Sequence, residues 1–100
     1  VNSEEAIPTS FALYQNYPNP FNPSTTIKFA VPTQTQVAID IYDLRGQKIA
    51  TIMNEEKAAG YYTVSWNGKN KNGAYVTSGI YFYTIRAENF SEVRKMLLLK

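Results

Sequence analysis

The sequence predicts an all-β chain folded as an antiparallel β-sandwich of about seven strands. Three observations carry this. Apolar and polar residues alternate, with the period of half-buried strands, in several separate stretches. Turn-forming residues recur at intervals of about ten residues. No stretch carries a convincing apolar stripe at helical spacing.

Taken in order, residues 1–10 are polar, acidic at Glu4-Glu5 and interrupted by Pro8, and read as the end of a linker. The domain then covers residues 11–100. Phe11-Ala12-Leu13-Tyr14 is a short edge strand. It leads into Tyr17-Pro18-Asn19-Pro20-Phe21-Asn22-Pro23, which holds three of the five prolines. Each proline fixes its own φ and removes a backbone donor, and each pushes the preceding residue out of the helical region. The segment is therefore a stiff, extended strap that is neither helix nor inner strand. Such a strap loses little entropy on ordering. Tyr17 and Phe21 are its two aromatic anchors, expected to cover one end of the sandwich.

Ile27, Phe29 and Val31 alternate with Thr26, Lys28 and Ala30, and Pro32 ends that strand. Val37, Ile39 and Ile41 alternate with Ala38, Asp40 and Tyr42, which puts Asp40 on a solvent face. Asp43-Leu44-Arg45-Gly46 is a turn, with Asp favoured at its first position and Gly at its last. Residues 48–54 form a weaker strand in which Ile49 and Ile52 break alternation, the mark of a bulge. Residues 55–60 read as a loop with room for one helical turn. Tyr62, Val64 and Trp66 alternate with Tyr61, Thr63 and Ser65, and Trp66 is the candidate for the centre of the core. Asn67 to Gly73 is a polar turn tract. From Gly79 to Ala87, Tyr81, Tyr83 and Ile85 face one way, and Phe82, Thr84 and Arg86 the other. Glu88-Asn89 turns the chain into a last strand over residues 91–99. Its end, Met96-Leu97-Leu98-Leu99, lacks alternation and so predicts burial on both faces or a sheet junction. Strand number, strand length and turn spacing are those of an Ig-like sandwich.

One hundred residues with 44% apolar and 14% aromatic content suffice for one core. The net charge of +2, with lysines and arginines scattered, offers no stripe for nucleic acid. There is no cysteine, so no disulfide framework exists. No apolar run approaches the ~20 residues of a membrane helix. The chain begins at Val1 and shows no signal peptide, which reads as a fragment of a longer protein with any export signal elsewhere.

Without histidine or cysteine, the Ser-His-Asp and Cys-His nucleophile systems and the zinc sites built on those residues are absent. A carboxylate pair for glycoside hydrolysis would come from Asp40, Asp43, Glu88 and Glu92, which read instead as solubility and turn residues. The expectation is a non-enzymatic domain with no catalytic residues, no metal and no cofactor. In the tract from Asn67 to Gly73, Asn67 and Asn70 offer carbonyl oxygens to calcium. Lys69 and Lys71 oppose that, and a pair of Asn-Gly turns is favoured. Tyr42, Tyr61 and Phe82 fall on nominal outer faces. They form either a flat sugar-stacking platform, giving weak polysaccharide binding, or ordinary strand packing. Arg94-Lys95-Met96-Leu97-Leu98-Leu99-Lys100 brackets an apolar strand with basic residues. It is either a closing strand with charged ends or a recognition tag read by edge pairing.

Five motifs in order carry a resemblance. They are Tyr17-Pro18-Asn19-Pro20-Phe21-Asn22-Pro23-Ser24-Thr25; Ile39-Asp40-Ile41-Tyr42-Asp43-Leu44 with Gly46; Gly60-Tyr61-Tyr62-Thr63-Val64-Ser65-Trp66-Asn67-Gly68; Ser78-Gly79-Ile80-Tyr81-Phe82-Tyr83; and Lys95 through Lys100. Together they resemble the C-terminal sorting domain of cargo of the type IX (Por) secretion system. That Ig-like family is similar to the Ig-like domain of the flagellar hook-capping protein. The resemblance spans residues 11–100, and the end of the chain at Lys100 favours the sorting reading. It implies a monomeric, non-catalytic tag, covalently part of a larger cargo, that passes the periplasm on its way to the cell surface or the medium. An outer-membrane translocon would recognise residues 94–100, and a sortase-like peptidase would cut within residues 1–10. The strap, with Trp66, Gly68 and Gly79, would be structural.

Overall fold

Seven strands organise residues 7–100, the part of the chain that this computed structural model describes. They are β1 (Ala12–Leu13), β2 (Thr25–Val31), β3 (Thr35–Tyr42), β4 (Lys48–Lys57), β5 (Gly60–Trp66), β6 (Gly79–Ala87) and β7 (Phe90–Leu98). Residues 1–6, with the Glu4-Glu5 pair of the expected linker, lie outside the described residues. Two antiparallel sheets result, one ordered β1-β2-β5 and the other β4-β3-β6-β7. Among the described residues there is no helix. This is the Ig-like β-sandwich that the alternation predicts.

Alternation decides what meets between the sheets, because successive side chains of a strand point to opposite faces. Ile27, Phe29 and Val31 from β2 face Val37, Ile39 and Ile41 from β3 and Tyr83 and Ile85 from β6, and all are fully buried. Met96 and Leu98 add β7 to the same core. Trp66 closes one end of it, with its ring centroid 5.7 Å from those of both Phe21 and Tyr81. The turn at residues 43–46 forms as expected. Gly46 N–H bonds Asp43 O at 3.0 Å, and Asp43 Oδ1 accepts Arg45 N–H and Gln47 N–H, both at 2.9 Å.

The structure corrects four expectations. First, β4 does not stop at Asn54. It runs to Lys57, pairing Glu55 with Val37 and Glu56 with Gln36, so residues 55–57 are strand and not loop. An edge strand needs no apolar period where its side chains face water, and charge there discourages pairing with another chain. Register shifts opposite Ile39/Asp40 and Ile41/Tyr42 are the bulges that Ile52 and Ile49 announced. Second, the run Met96-Leu97-Leu98-Leu99 alternates after all. Met96 and Leu98 are core, Leu97 is half-buried, and Leu99, past the strand end, is 49% exposed.

Third, Asp40 is not on a wet face, being only 1% exposed. Its Oδ1 accepts the Thr51 hydroxyl at 2.6 Å and lies 3.8 Å from Lys48 Nζ, while its Oδ2 lies 3.3 Å from Arg86 Nη2. Long basic side chains from neighbouring strands fold over it, so their stems exclude water while their charges compensate its own. Fourth, the strap is bent, not extended throughout, and Tyr17 covers nothing. The chain bends at residues 18–20 and 22–23, Tyr17 is 81% exposed, and Phe21 is 2% exposed.

Candidate functional site

A two-layer sandwich has two open seams where the sheet edges face each other. Here β1 and β7 flank one seam, and β4 and β5 flank the other. The first is stitched shut by the strap. Tyr17 makes a single bridge with Thr26 of β2, exchanging N–H···O bonds of 2.9 Å in both directions. Four residues later Phe21 makes a parallel bridge with Leu98 of β7: Phe21 N–H bonds Leu97 O, and Leu99 N–H bonds Phe21 O, both at 3.0 Å. The strap thus passes from one sheet to the other. It drives Phe21 into the core against Trp66 as it goes.

Side chains complete the seam. Asn19 Oδ1 accepts Leu97 N–H at 3.0 Å, and Gln15 Nε2–H bonds Lys95 O at 2.8 Å. The outer edge of β7 from Lys95 to Leu99 is therefore occupied by its own chain, which leaves no free ladder there for edge pairing. Asn16, 2% exposed, donates from Nδ2 to Thr25 Oγ1 at 3.0 Å and to Pro18 O at 3.1 Å. Arg94 crosses the seam, donating from Nε to Leu13 O at 2.6 Å, with Nη2 3.3 Å from Glu92 Oε2.

Tyr83 is the buried centre of this stitching. Its hydroxyl donates to Tyr14 O at 2.7 Å and accepts Asn16 N–H at 2.8 Å. Burial pushes the phenol up to about 12, against smaller lowering effects from the Asn16 bond and the Arg94 charge. The hydroxyl thus stays a neutral donor through the physiological range. The sequence placed Tyr83 on the inward face without singling it out. A tyrosine alternating with Tyr81 and Ile85 on one face was the available signal, because a buried hydroxyl needs a partner.

Of residues 94–100, the structure exposes Lys95, Leu99 and Lys100, half-exposes Arg94 and Leu97, and buries Met96 and Leu98. Lys100 is held as well: its N–H bonds Ser78 Oγ at 3.0 Å, and its Nζ lies 5.7 Å from the Tyr75 ring centroid. Gly79 opens β6 opposite Leu98. Gly68 is positioned by a backbone conformation of φ +80°, and a Cβ there would meet Pro23 O at 3.0 Å, so the strap seats directly on the Trp66-Asn67-Gly68 turn. Asn67 Oδ1 accepts Lys69 N–H at 3.1 Å, and Asn70 Oδ1 accepts Asn72 N–H and Ala74 N–H at 2.9 and 3.0 Å. Those oxygens build the Asn turns. The sugar platform is not assembled: Tyr42 and Phe82 are cross-strand neighbours in the four-stranded sheet, whereas Tyr61 belongs to the other sheet. Tyr61 packs instead beneath Lys28, whose Nζ lies 5.0 Å from its ring centroid.

The profile of the FlgD Ig-like domain matches residues 21–91. The chain belongs to the FlgD Ig-like domain family. Among solved structures, this FlgD Ig-like domain is similar to dimeric latent PorU from Porphyromonas gingivalis, with a TM-score of 0.69 and 18% identity over 85% of the chain and 9% of PorU. It is similar to FlgD from P. aeruginosa, with a TM-score of 0.59 and 20% identity over 74% of the chain and 58% of that protein. It is also similar to PorZ, described as an essential surface component of the type IX secretion system of Porphyromonas gingivalis, with a TM-score of 0.59 and 20% identity over 90% of the chain and 11% of PorZ. The chain thus spans about a tenth of the length of PorU and of PorZ. A search of curated proteins returns no significant match. The family match begins at Phe21 and stops at Ser91. Most of β7 lies beyond the match, and it is bonded across the stitched seam by Phe21, where the match begins, and by Asn19 and Gln15 before it.

Proposed function

We propose that this Ig-like domain is a sorting domain. It is a folded, non-catalytic tag on a larger exported protein, read by the outer-membrane translocon of the type IX secretion system and afterwards removed by a sortase-like peptidase. Its route is through the periplasm to the cell surface or the medium. The five-motif resemblance supports this reading, as does the recurrence of the fold in PorU and PorZ.

The observation that carries it furthest is the partition of β7. Met96 and Leu98 are core, the outer backbone edge is bonded to the strap, and of residues 94–100 Lys95, Leu99 and Lys100 are the exposed ones. The tag is then read as a folded surface with basic ends, not as a free strand added to a partner's sheet.

A reporter fused to residues 11–100 tests this in a host that has the system. Export of the fusion is expected, together with its loss in the K95E/K100E double variant at unchanged thermal stability. Export that persists after residues 95–100 are deleted overturns the assignment of this strand. The family match to FlgD favours a second reading, a structural Ig-like module of a larger assembly. Failure of the intact fusion to be exported, with the fold preserved, would select it.

A further inference from the structure

The seam opposite the strap is built differently. β4 and β5 are the outer strands of their sheets, and on this side the short link at residues 58–59 carries the chain from one sheet to the other. Beyond that link the turn tract also reaches over, with Lys71 N–H bonding Ile49 O at 2.9 Å. Between the β4 edge and that tract lies a cleft of about 700 Å³.

Its lining includes the apolar Ala50 and Ile52 and the edge of the buried Trp66, together with Lys48, Lys69 and Lys71. No carboxylate among the described residues lines it. Asp40, the nearest acid to Lys48, is already shared with Arg86 and the Thr51 hydroxyl. Lys69 Nζ sits 4.9 Å from the Tyr75 ring centroid, a contact that fixes the ammonium while using none of its hydrogen-bond donors. Three cations around a partly apolar cleft beside the β4 edge have a definite complement. It is an extended chain carrying carboxylates on both sides of an apolar residue.

We propose that the β4–β5 cleft is a docking site for an extended acidic peptide segment of a partner protein, with its carboxylates on Lys48, Lys69 and Lys71 and an apolar side chain against Ile52 and Trp66. None of the residues lining the cleft belongs to residues 94–100, so the proposal does not rest on the sorting reading.

Trp66 is the sole tryptophan of the chain and lines the cleft, so its fluorescence reports occupancy directly. The test titrates the hundred-residue chain with a blocked octapeptide alternating glutamate and leucine. Amide shifts are followed in parallel. Expected is a saturable Trp66 signal with a dissociation constant below about 1 mM, and amide shifts confined to Thr51, Ile52 and residues 66–73. The affinity should fall at least about tenfold in K69E/K71E and in about 0.5 M salt. A K69Q/K71Q variant with unchanged melting temperature guards against misfolding and should bind weakly too. Equal binding of a lysine-leucine peptide, shifts centred elsewhere, or tighter binding of a sulfated polysaccharide than of the peptide would each overturn the proposal.

Discussion

Replacing Tyr83 by phenylalanine removes one oxygen and leaves the ring, so the core keeps its volume. What is lost is the link between β6 and the start of the strap. Tyr14 O loses its 2.7 Å donor, and Asn16 N–H loses its 2.8 Å acceptor. Asn16 is 2% exposed, so water does not readily replace the hydroxyl there. A buried group left unsatisfied costs about 1–3 kcal/mol. Tyr14 is 40% exposed, and its carbonyl is the easier of the two to rehydrate. The expected loss is therefore about 2 kcal/mol. For a domain of this size that is a fall in melting temperature of roughly 10 °C. Urea unfolding measures it, with the midpoint shifted and the slope unchanged. Hydrogen exchange at Leu97, Leu99 and Phe21 should accelerate together, because those amides lie in the seam that Tyr83 anchors. A loss below about 0.5 kcal/mol, the size of a neutral surface change, would refute the reasoning. It would mean that the strap rehydrates without cost and that the seam is not held through Tyr83.

Alkaline unfolding is linked to the same group. Its folded value lies near 12 against an ordinary 10, so the folded state binds more protons between those pH values. Stability is full below pH 10 and falls as the pH rises towards 12, by up to about 2 kcal/mol, and Y83F should show a shallower fall over that window in pH-dependent melts. Phe21→Ala should cost about 3–5 kcal/mol, whereas Tyr17→Ala should stay within about 0.5 kcal/mol; similar losses in chemical unfolding would contradict the burial of one and the exposure of the other. Gly68→Ala combines a positive φ with a Cβ only 3.0 Å from Pro23 O, and a loss of about 1–3 kcal/mol is expected in thermal melts. Gly73→Ala, at φ +84° with open space around it, should cost less, and the difference isolates the contact with the strap.

Much of the fold was readable because its signals are local. The alternation in residues 27–31, 37–41 and 79–87 places each side chain with no knowledge of any partner strand, since the pleat alone decides the face. The Asp43–Gly46 turn and the bulges at Ile49 and Ile52 are likewise set by neighbours in sequence. Where reading failed, the missing information was non-local. Residues 55–57 carry no apolar pattern, and only their pairing with residues 35–37 makes them strand. Asp40 sits at an outward position by alternation, and its burial depends on Lys48, Thr51 and Arg86 arriving from other strands.

The strap divides in the same way. Its stiffness, and its refusal of helix and inner strand, follow from three prolines and the residues before them, because each restriction acts within one dipeptide. That Phe21 enters the core while Tyr17 stays wet, and that Asn19 and Gln15 hold the edge of β7, depends on residues about 80 positions away in sequence. Composition and spacing alone set the all-β class, the element order and the basic–apolar–basic pattern of the last strand. Only the packed sandwich decided that the strap closes one seam while the other holds a lysine-lined cleft, because an edge exists only once the sheets are assembled.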